Sequence, residues 1–436
     1  LTSFNHFDYA GKPASKFRPP KYVRWIVRGS IALLCFYLIS GFFSKNSETS
    51  VSPELGEDSS SSLAHYSAYM DLPERDEKIP IGLGNDSTVK LPKSTPAHIL
   101  AQKDTVLAKR LDEMLSRYRP TGALLLMVDA KTNEILAWAQ RNDSLNQYHP
   151  DYISRATFPA ASLIKILTAA AAMETNRYGM DSEIPQKGRN HTLYLTQLDI
   201  PNNYSGPFVT LSDAFARSIN PAFGLVGQNL GGAKMRSEAK KLGFEVNFPG
   251  NMPHKSIYAP PDTGYALAES ASGFTTSNTL SPLHAAAITR AIHQQKALET
   301  PWSRDPSLKG IAPVEPLNLN IPKLKTNTFY GLRQMFLRTM EKGTGQKAMR
   351  KTVYSFNRNA LNIGGKTGSL DGPDPEGRYD WFTGFAESKN DPDKSVIVVV
   401  MQYHRVIRSL PSSQMAGVMI NHWAKAYDVI PSKKKN

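Results

Sequence analysis

The sequence predicts an α+β fold, and three observations carry that prediction. Apolar, strand-like runs occur at two separated places, over residues 122–139 and 364–403. Between them lie alanine-rich segments of strong helix propensity, and an amphipathic stretch follows the second group of strands. Strands at both ends with helices between make this class, because each element must bury its apolar side against another layer. A further apolar run, over residues 25–43, is long enough for one transmembrane helix ahead of the folded region.

From the N-terminus, residues 1–24 read as a basic cytoplasmic tail, with Lys12, Lys16, Arg18, Lys21 and Arg24 against the single acid Asp8. Residues 25–43 carry Arg28 as their one charge and, as a helix, span about 28 Å, close to a bilayer core. The basic flank places the N-terminus inside and everything after residue 43 outside the cytoplasmic membrane. An uncleaved anchor is expected, since only Ser40-Gly41 offers small residues near the end of the apolar run. Cys35 is the one cysteine, so no intramolecular disulfide forms; Leu33-Leu34 before it argue against lipoprotein processing. Residues 44–95 read as a linker, largely disordered, with Ser59-Ser60-Ser61-Ser62 at its centre; residues 64–95 are open between linker and a small folded lead-in. Residues 96–430 form the main domain and 431–436 a basic tail.

Within the domain, residues 122–129 and 134–139 flank a turn at Lys131-Thr132-Asn133 and read as a hairpin. Residues 162–173 are apolar nearly all round, as befits a core helix. A short helix over residues 212–217 is followed by Asn220-Pro221, an N-cap asparagine with proline at the first helical position. Residues 234–241 make a solvated helix face ended by Gly243. Later come a strand through Gly364-Gly365-Lys366, a polar loop over residues 371–380, a return strand over 381–385 and a buried strand over 395–403. The last helix, over residues 412–426, places Met415, Val418, Met419 and Trp423 on one face, toward the sheet.

Three short motifs carry chemistry: Ser162-Leu163-Ile164-Lys165, Ser218-Ile219-Asn220 and Lys366-Thr367-Gly368-Ser369. Ser-x-x-Lys also occurs at Ser87, Ser237 and Ser432, and Ser-x-Asn at Ser3, Ser44, Ser144, Ser355 and Ser388, whereas Lys-Thr-Gly occurs once. Setting separates them. Lys165 is the lone cation in a core helix and lies one turn from Ser162 on the same face; Ser237 sits in a polar stretch, Ser87 in a loop and Ser432 in the basic tail. The plain alternatives are a helix-start serine with a snorkelling lysine, an Asn220 that only caps, and a Lys-Thr-Gly that is only a hairpin. A serine hydroxyl needs a base to act as a nucleophile. Lys165 can serve if neutral, and burial and the charge of Lys366 both lower its pKa. Ser218 is expected to relay a proton to a leaving amine, and Asn220 to orient Lys165 and hold a substrate amide. Lys366 and Thr367 offer a charge and a hydroxyl to a carboxylate.

These motifs, in this order, resemble the transpeptidase domain of penicillin-binding proteins over roughly residues 100–428. Ile219, where the β-lactamase pattern has aspartate, favours the penicillin-binding side. Ser281-Pro282-Leu283-His284 and Gly343-Thr344-Gly345 also look like segments of that family. The resemblance implies a five-stranded antiparallel sheet flanked by helices with an all-helical insert, and an oxyanion hole from the backbone N–H groups of Ser162 and Ser369. Catalytic residues are then Ser162, Lys165, Ser218 and Asn220, and substrate-binding residues Lys366, Thr367, Gly368 and Ser369. The expected activity is a peptidoglycan D,D-transpeptidase that β-lactams acylate, with stem peptides as substrates. A D,D-carboxypeptidase, a β-lactamase and a noncatalytic wall-binding scaffold remain alternatives. No Glu-x-x-x-Asn signature supplies a deacylating base, which lowers the β-lactamase reading, and the N-terminal anchor leans toward the transpeptidase. The span before residue 100 looks too short for a glycosyltransferase domain, so a separate glycan polymerase is an expected partner.

Of the net charge of +14, residues 1–30 carry +5 and Lys433-Lys434-Lys435 carry +3, which leaves +6 for the remainder. That modest excess suits anionic wall polymers or lipid headgroups. Nucleic acid is not an expected partner for a domain outside the membrane. The ten histidines show no metal-ligand spacing, and no phosphate loop is present, so no cofactor or metal is expected. His404, at the end of the last strand, is assigned no role. The lack of a cysteine beyond Cys35 also disfavours a thiol-based L,D-transpeptidase.

Overall fold

The computed structural model describes residues 96–142, 150–247, 255–373, 376–405, 408 and 410–429. The tail, anchor and linker read for residues 1–95, and the basic tail after 430, lie outside them. No helix among the described residues is long and apolar enough to cross a membrane.

Five strands build one sheet: β1 (Gly122–Asp129), β2 (Ile135–Asn142), β3 (Leu361–Pro373), β4 (Glu376–Ser388) and β5 (Ser395–His404). Their order is β2-β1-β5-β4-β3 and every neighbouring pair is antiparallel, so the chain has the predicted α+β architecture. Side chains alternate between two apolar cores. Leu124, Leu126, Val128, Ile397, Val399 and Met401 enter one; Leu125, Met127, Val396, Val398 and Val400 enter the other. With both faces covered, the central strands read as unbroken apolar runs.

The helices that frame the sheet and the site include, in chain order, α1 (Thr105–Tyr118), α2 (Ile164–Glu174), α3 (Leu211–Ala216), α4 (Asn220–Leu230), α5 (Gly232–Lys241), α6 (Gly264–Ser272), α7 (Pro282–Gln294), α8 (Thr326–Lys342), α9 (Gln346–Thr352) and α10 (Ser412–Ala426). The side chain of Asp104 caps α1 by accepting from Leu107 N at 2.9 Å. Apolar residues of α1 and α10 join one core, with Met415, Met419 and Trp423 buried as the sequence predicts. Most of the chain between β2 and β3, with α2 buried along its whole length, fills the other, while Met340, Met349 and Val353 join the core of α1 and α10.

Two expectations need correction. Residues 371–380 are not a loop: β3 and β4 stay paired out to Pro373 opposite Glu376, and Asp371 faces Arg378 across the ladder at 3.3 Å. Polar residues at an exposed hairpin tip keep their backbone bonds and pair their charges, so polarity there does not signal a break. Asn220 is not the N-cap either. Ile219 occupies that position, Asn220 is already helical, and its side chain bonds Lys165 and His191 O.

The start of α2 is reached through a tight turn. Ala161 adopts φ 50°, Ala161–Leu163 form one 3₁₀ turn, and Ser162 stands at its centre. Gly273, just after α6, lies under this turn with φ +69°; a Cβ there would fall 1.9 Å from the Ala161 carbonyl oxygen. Gly273→Ala is therefore expected to cost about 3 kcal/mol of stability, read as a lower urea midpoint; an unchanged midpoint would refute this packing account.

Candidate active site

Ser162 is fixed from three sides through its neighbours' backbone. The Ala160 N–H donates to Asn278 O at 2.8 Å, and Trp381 Nε1 on β4 donates to Pro159 O at 2.9 Å. From β3, Gly368 packs against the turn so closely that a Cβ would stand 3.3 Å from Ser162 N. A side chain at 368 would require strand and turn to give by a few tenths of an ångström.

Lys165, one turn on, is fully buried, and its Nζ lies 2.9 Å from Ser162 Oγ, 2.7 Å from Asn220 Oδ1 and 2.5 Å from Ser272 O. The orientation of Asn220 follows from its other end, where Nδ2 donates to His191 O at 3.0 Å. Burial, and then the charge of Lys366, hold the Lys165 pKa well below the ordinary lysine value. A neutral amine has two N–H donors and one lone pair. Asn220 Oδ1 and Ser272 O can only accept, so they take the two donors. The lone pair is then left for the hydroxyl hydrogen of Ser162.

Ser218 and Asn220 occupy the corner between α3 and α4, where Ser218 adopts φ 54°. The corner is braced from α8 and the residues after it: Arg338 pairs with Asp213 at 2.6 Å, and Thr344 N donates to Ala216 O at 3.0 Å. Ser218 Oγ meets Lys366 Nζ at 3.0 Å, and the same amine donates to Thr367 O at 2.8 Å. Lys366 is fully buried, 5.5 Å above the Phe215 ring, and burial pushes its pKa down to about 7.

β3 is an edge strand, with β4 on one side only. Thr367 and Ser369 are half-buried on it. Thr367 Oγ1 lies 2.6 Å from Thr344 Oγ1, and Ser369 Oγ accepts from Arg378 at 2.6 Å. Thus Ser162, Lys165 and Asn220 form one connected cluster, and Ser218, Lys366 and Thr367 a second. Gly368 joins the strand of the second to the turn of the first. Thr344, Arg378 and the Ser272 carbonyl belong to this surround but were not singled out as site residues from sequence. Only Thr344 left a trace there, in Gly343-Thr344-Gly345. Ser237 is exposed on α5, away from such partners, and Ser87 and Ser432 lie outside the described residues.

A helix-start serine hydrogen-bonded to a buried, deprotonation-prone lysine, facing a Lys-Thr-Gly edge strand, has the residue types and arrangement that a serine–lysine acyl-transfer site requires. The model of the penicillin binding protein transpeptidase domain matches residues 123–416, and the chain belongs to that family. It is 23% identical over 318 residues to stage V sporulation protein D of Bacillus subtilis strain 168, covering 68% of this chain and 48% of that protein. It is 25% identical over 305 residues to the peptidoglycan D,D-transpeptidase PbpA of Mycolicibacterium smegmatis, covering 64% of this chain and 60% of that one. The chain thus spans about half to three fifths of the length of these relatives. In fold it resembles the transpeptidase domain of Burkholderia pseudomallei penicillin-binding protein 3, with TM-score 0.54, 15% identity and coverage of 79% and 99%. It also resembles the D,D-transpeptidase domain of a peptidoglycan glycosyltransferase from Eggerthella lenta, with TM-score 0.51, 18% identity and coverage of 75% and 82%.

Lys366 links this site to stability. Folded, it releases its proton near pH 7; unfolded, it keeps it to the ordinary 10.5. Between those values the unfolded chain holds the extra proton, so unfolding free energy rises with pH across the window. Lys366→Met is expected to flatten that rise by up to about 1.4 kcal/mol per pH unit, measured by denaturant unfolding from pH 7.5 to 9.5. Equal slopes in the two proteins would show that Lys366 titrates normally.

Proposed function

We propose that this chain is a membrane-anchored serine D,D-transpeptidase of peptidoglycan, with Ser162 as nucleophile. The observation that carries the reading is the hydrogen-bond set of Lys165, whose two acceptor-only partners reserve its lone pair for Ser162. Ser162 Oγ attacks the carbonyl of the D-Ala-D-Ala peptide bond as Lys165 takes its proton. The C–N bond breaks, Ser218 relays a proton to the leaving nitrogen, and D-alanine departs. The acyl group stays on Ser162 until an amine of a neighbouring stem peptide takes it. The backbone N–H groups of Ser162 and Ser369 stabilise the oxyanion, and the closeness of Gly368 to Ser162 N supports their convergence.

Lys366 and Thr367 receive the terminal carboxylate, with Gly368 and Ser369 lining the strand edge. An arriving carboxylate favours a charged Lys366, and that charge lowers the Lys165 pKa further. Substrate binding therefore promotes the neutral base that the reaction needs. Asn220 holds Lys165 and offers an amide to the substrate. β-Lactams carry the same carboxylate and an acyl centre, and trap Ser162.

The anchor is residues 25–43 with the N-terminus inside, which the flanking basic residues support. Residues 96–430 then work on the outer side of the cytoplasmic membrane, joined by the linker 44–95. Crosslinking requires glycan strands, so a glycan polymerase is placed among its partners.

Fluorescent penicillin is expected to label the wild-type chain, and Ser162→Ala to abolish labelling. Lys165→Ala should slow it by about 10³-fold. With a stem pentapeptide and an amine acceptor, D-alanine release should accompany a crosslinked product. Release with only the shortened acid would make the protein a carboxypeptidase, turnover of the penicillin a β-lactamase, and no labelling at all a scaffold.

A further inference from the structure

The groove beside Ser162 has two walls, the edge of β3 and the α3–α4 corner, and one exposed residue reaches both. Thr344 follows α8. Its N–H donates at 3.0 Å to Ala216 O, two residues before Ser218, and its Oγ1 lies 2.6 Å from Thr367 Oγ1 on β3. The residue therefore bridges the same two walls that Lys366 Nζ and Ser218 Oγ join at 3.0 Å. The loop that carries it has little freedom. The N–H groups of Gly343 and Gly345 both donate to Thr339 O, at 3.1 and 3.2 Å. A Cβ at 343 would run into the Ala216 carbonyl, and one at 345 into the Met340 side chain.

The activity proposed above, on which this inference rests, fixes how a donor peptide lies along β3. An extended chain adds to a free sheet edge by exchanging backbone bonds with alternate residues of the strand. With the scissile carbonyl at Ser369 N and the leaving residue toward Lys366 and Thr367, the donor runs antiparallel to β3. The leaving residue then falls opposite Gly368, and a residue after it would fall opposite Thr367. Thr344 is already there, in contact with the Thr367 hydroxyl. Farther back the strand lies against α8, where a Cβ at Gly364 would stand 3.1 Å from Phe336 Cβ.

We infer that Thr344 is the end stop of the donor groove, admitting a peptide that finishes with its carboxylate one residue past the scissile bond and turning away a chain that continues. The two touching hydroxyls suit that terminus. Whichever donates to the other, the pair keeps one O–H unspent for an acceptor-only carboxylate. Exclusion comes from bulk and binding from the hydroxyl, so one side chain works for the proper substrate and against the wrong one.

The test uses two donors, a stem pentapeptide ending in D-Ala-D-Ala and the same peptide extended by glycine, with release of the leaving fragment measured for the wild-type chain, Thr344→Ala and Thr344→Val. The wild-type chain should favour the unextended donor by at least about 10²-fold in kcat/KM. Thr344→Ala clears the groove and should raise cleavage of the extended donor about tenfold, with D-alanyl-glycine leaving, while KM for the unextended donor rises by about the same factor at nearly constant kcat. Thr344→Val keeps the bulk and loses the hydroxyl, so it should share the rise in KM and still reject the extended donor. A gain on the longer peptide is a result that damage to the loop alone would not produce. No gain in Thr344→Ala, or a wild-type chain that cleaves both donors equally, would overturn the assignment. Should Thr344→Ala show no urea unfolding transition, Thr344→Val decides, and an unchanged KM for the unextended donor overturns it. A wild-type chain that benzylpenicillin fails to acylate would instead sink the acyltransferase reading, and this inference with it.

Discussion

A lysine amine removed from water is the constraint around which this domain is arranged. Desolvating an ammonium ion is costly unless it is paired with an anion or gives up its proton. The hydrogen-bond partners of Lys165 are a hydroxyl, a side-chain amide oxygen and a backbone carbonyl, none of them a carboxylate. The surroundings are thus polar enough to satisfy its hydrogens and not negative enough to fix a charge. That balance depends on three separate pieces of chain: α2 supplies the amine, α4 the amide and the end of α6 the carbonyl. Each is held by the same apolar core that buries α2 on every side.

Lys366 repeats the logic from the sheet. It too is fully buried, over the Phe215 ring, with Ser218 Oγ and Thr367 O as partners. Two buried amines in one site repel each other when both are charged, so protonation of one biases the other. Where a lone lysine would only be a base, the pair makes its basicity responsive to whatever anion meets β3.

Much of this was legible in the sequence, for identifiable reasons. The sheet showed through because residues alternating between two cores leave unbroken apolar runs at Leu124-Leu125-Leu126 and Val398-Val399-Val400. Lys165 showed through because a cation in an all-apolar helix has few explanations. The far ends of β3 and β4 did not, since Asp371 and Arg378 look like loop residues until they are seen paired across the ladder. Asn220-Pro221 imitates a cap because asparagine favours that position; long-range bonds to Lys165 and His191 O claim its side chain instead. Thr344 and Arg378 touch the site through contacts from other elements, and the Ser272 carbonyl is a group that every residue carries. Ala161 conceals a left-handed turn that sequence rules reserve for glycine.

The meeting of Gly368 with Ser162 N is a contact between strand and turn with no side chain interposed on the glycine side. A pocket is commonly retuned by exchanging the side chains that line it, but here any side chain added at 368 has first to move strand and turn apart by a few tenths of an ångström. A substitution at 368 therefore acts on the spacing between β3 and the Ser162 turn, and not through any new chemistry of its own.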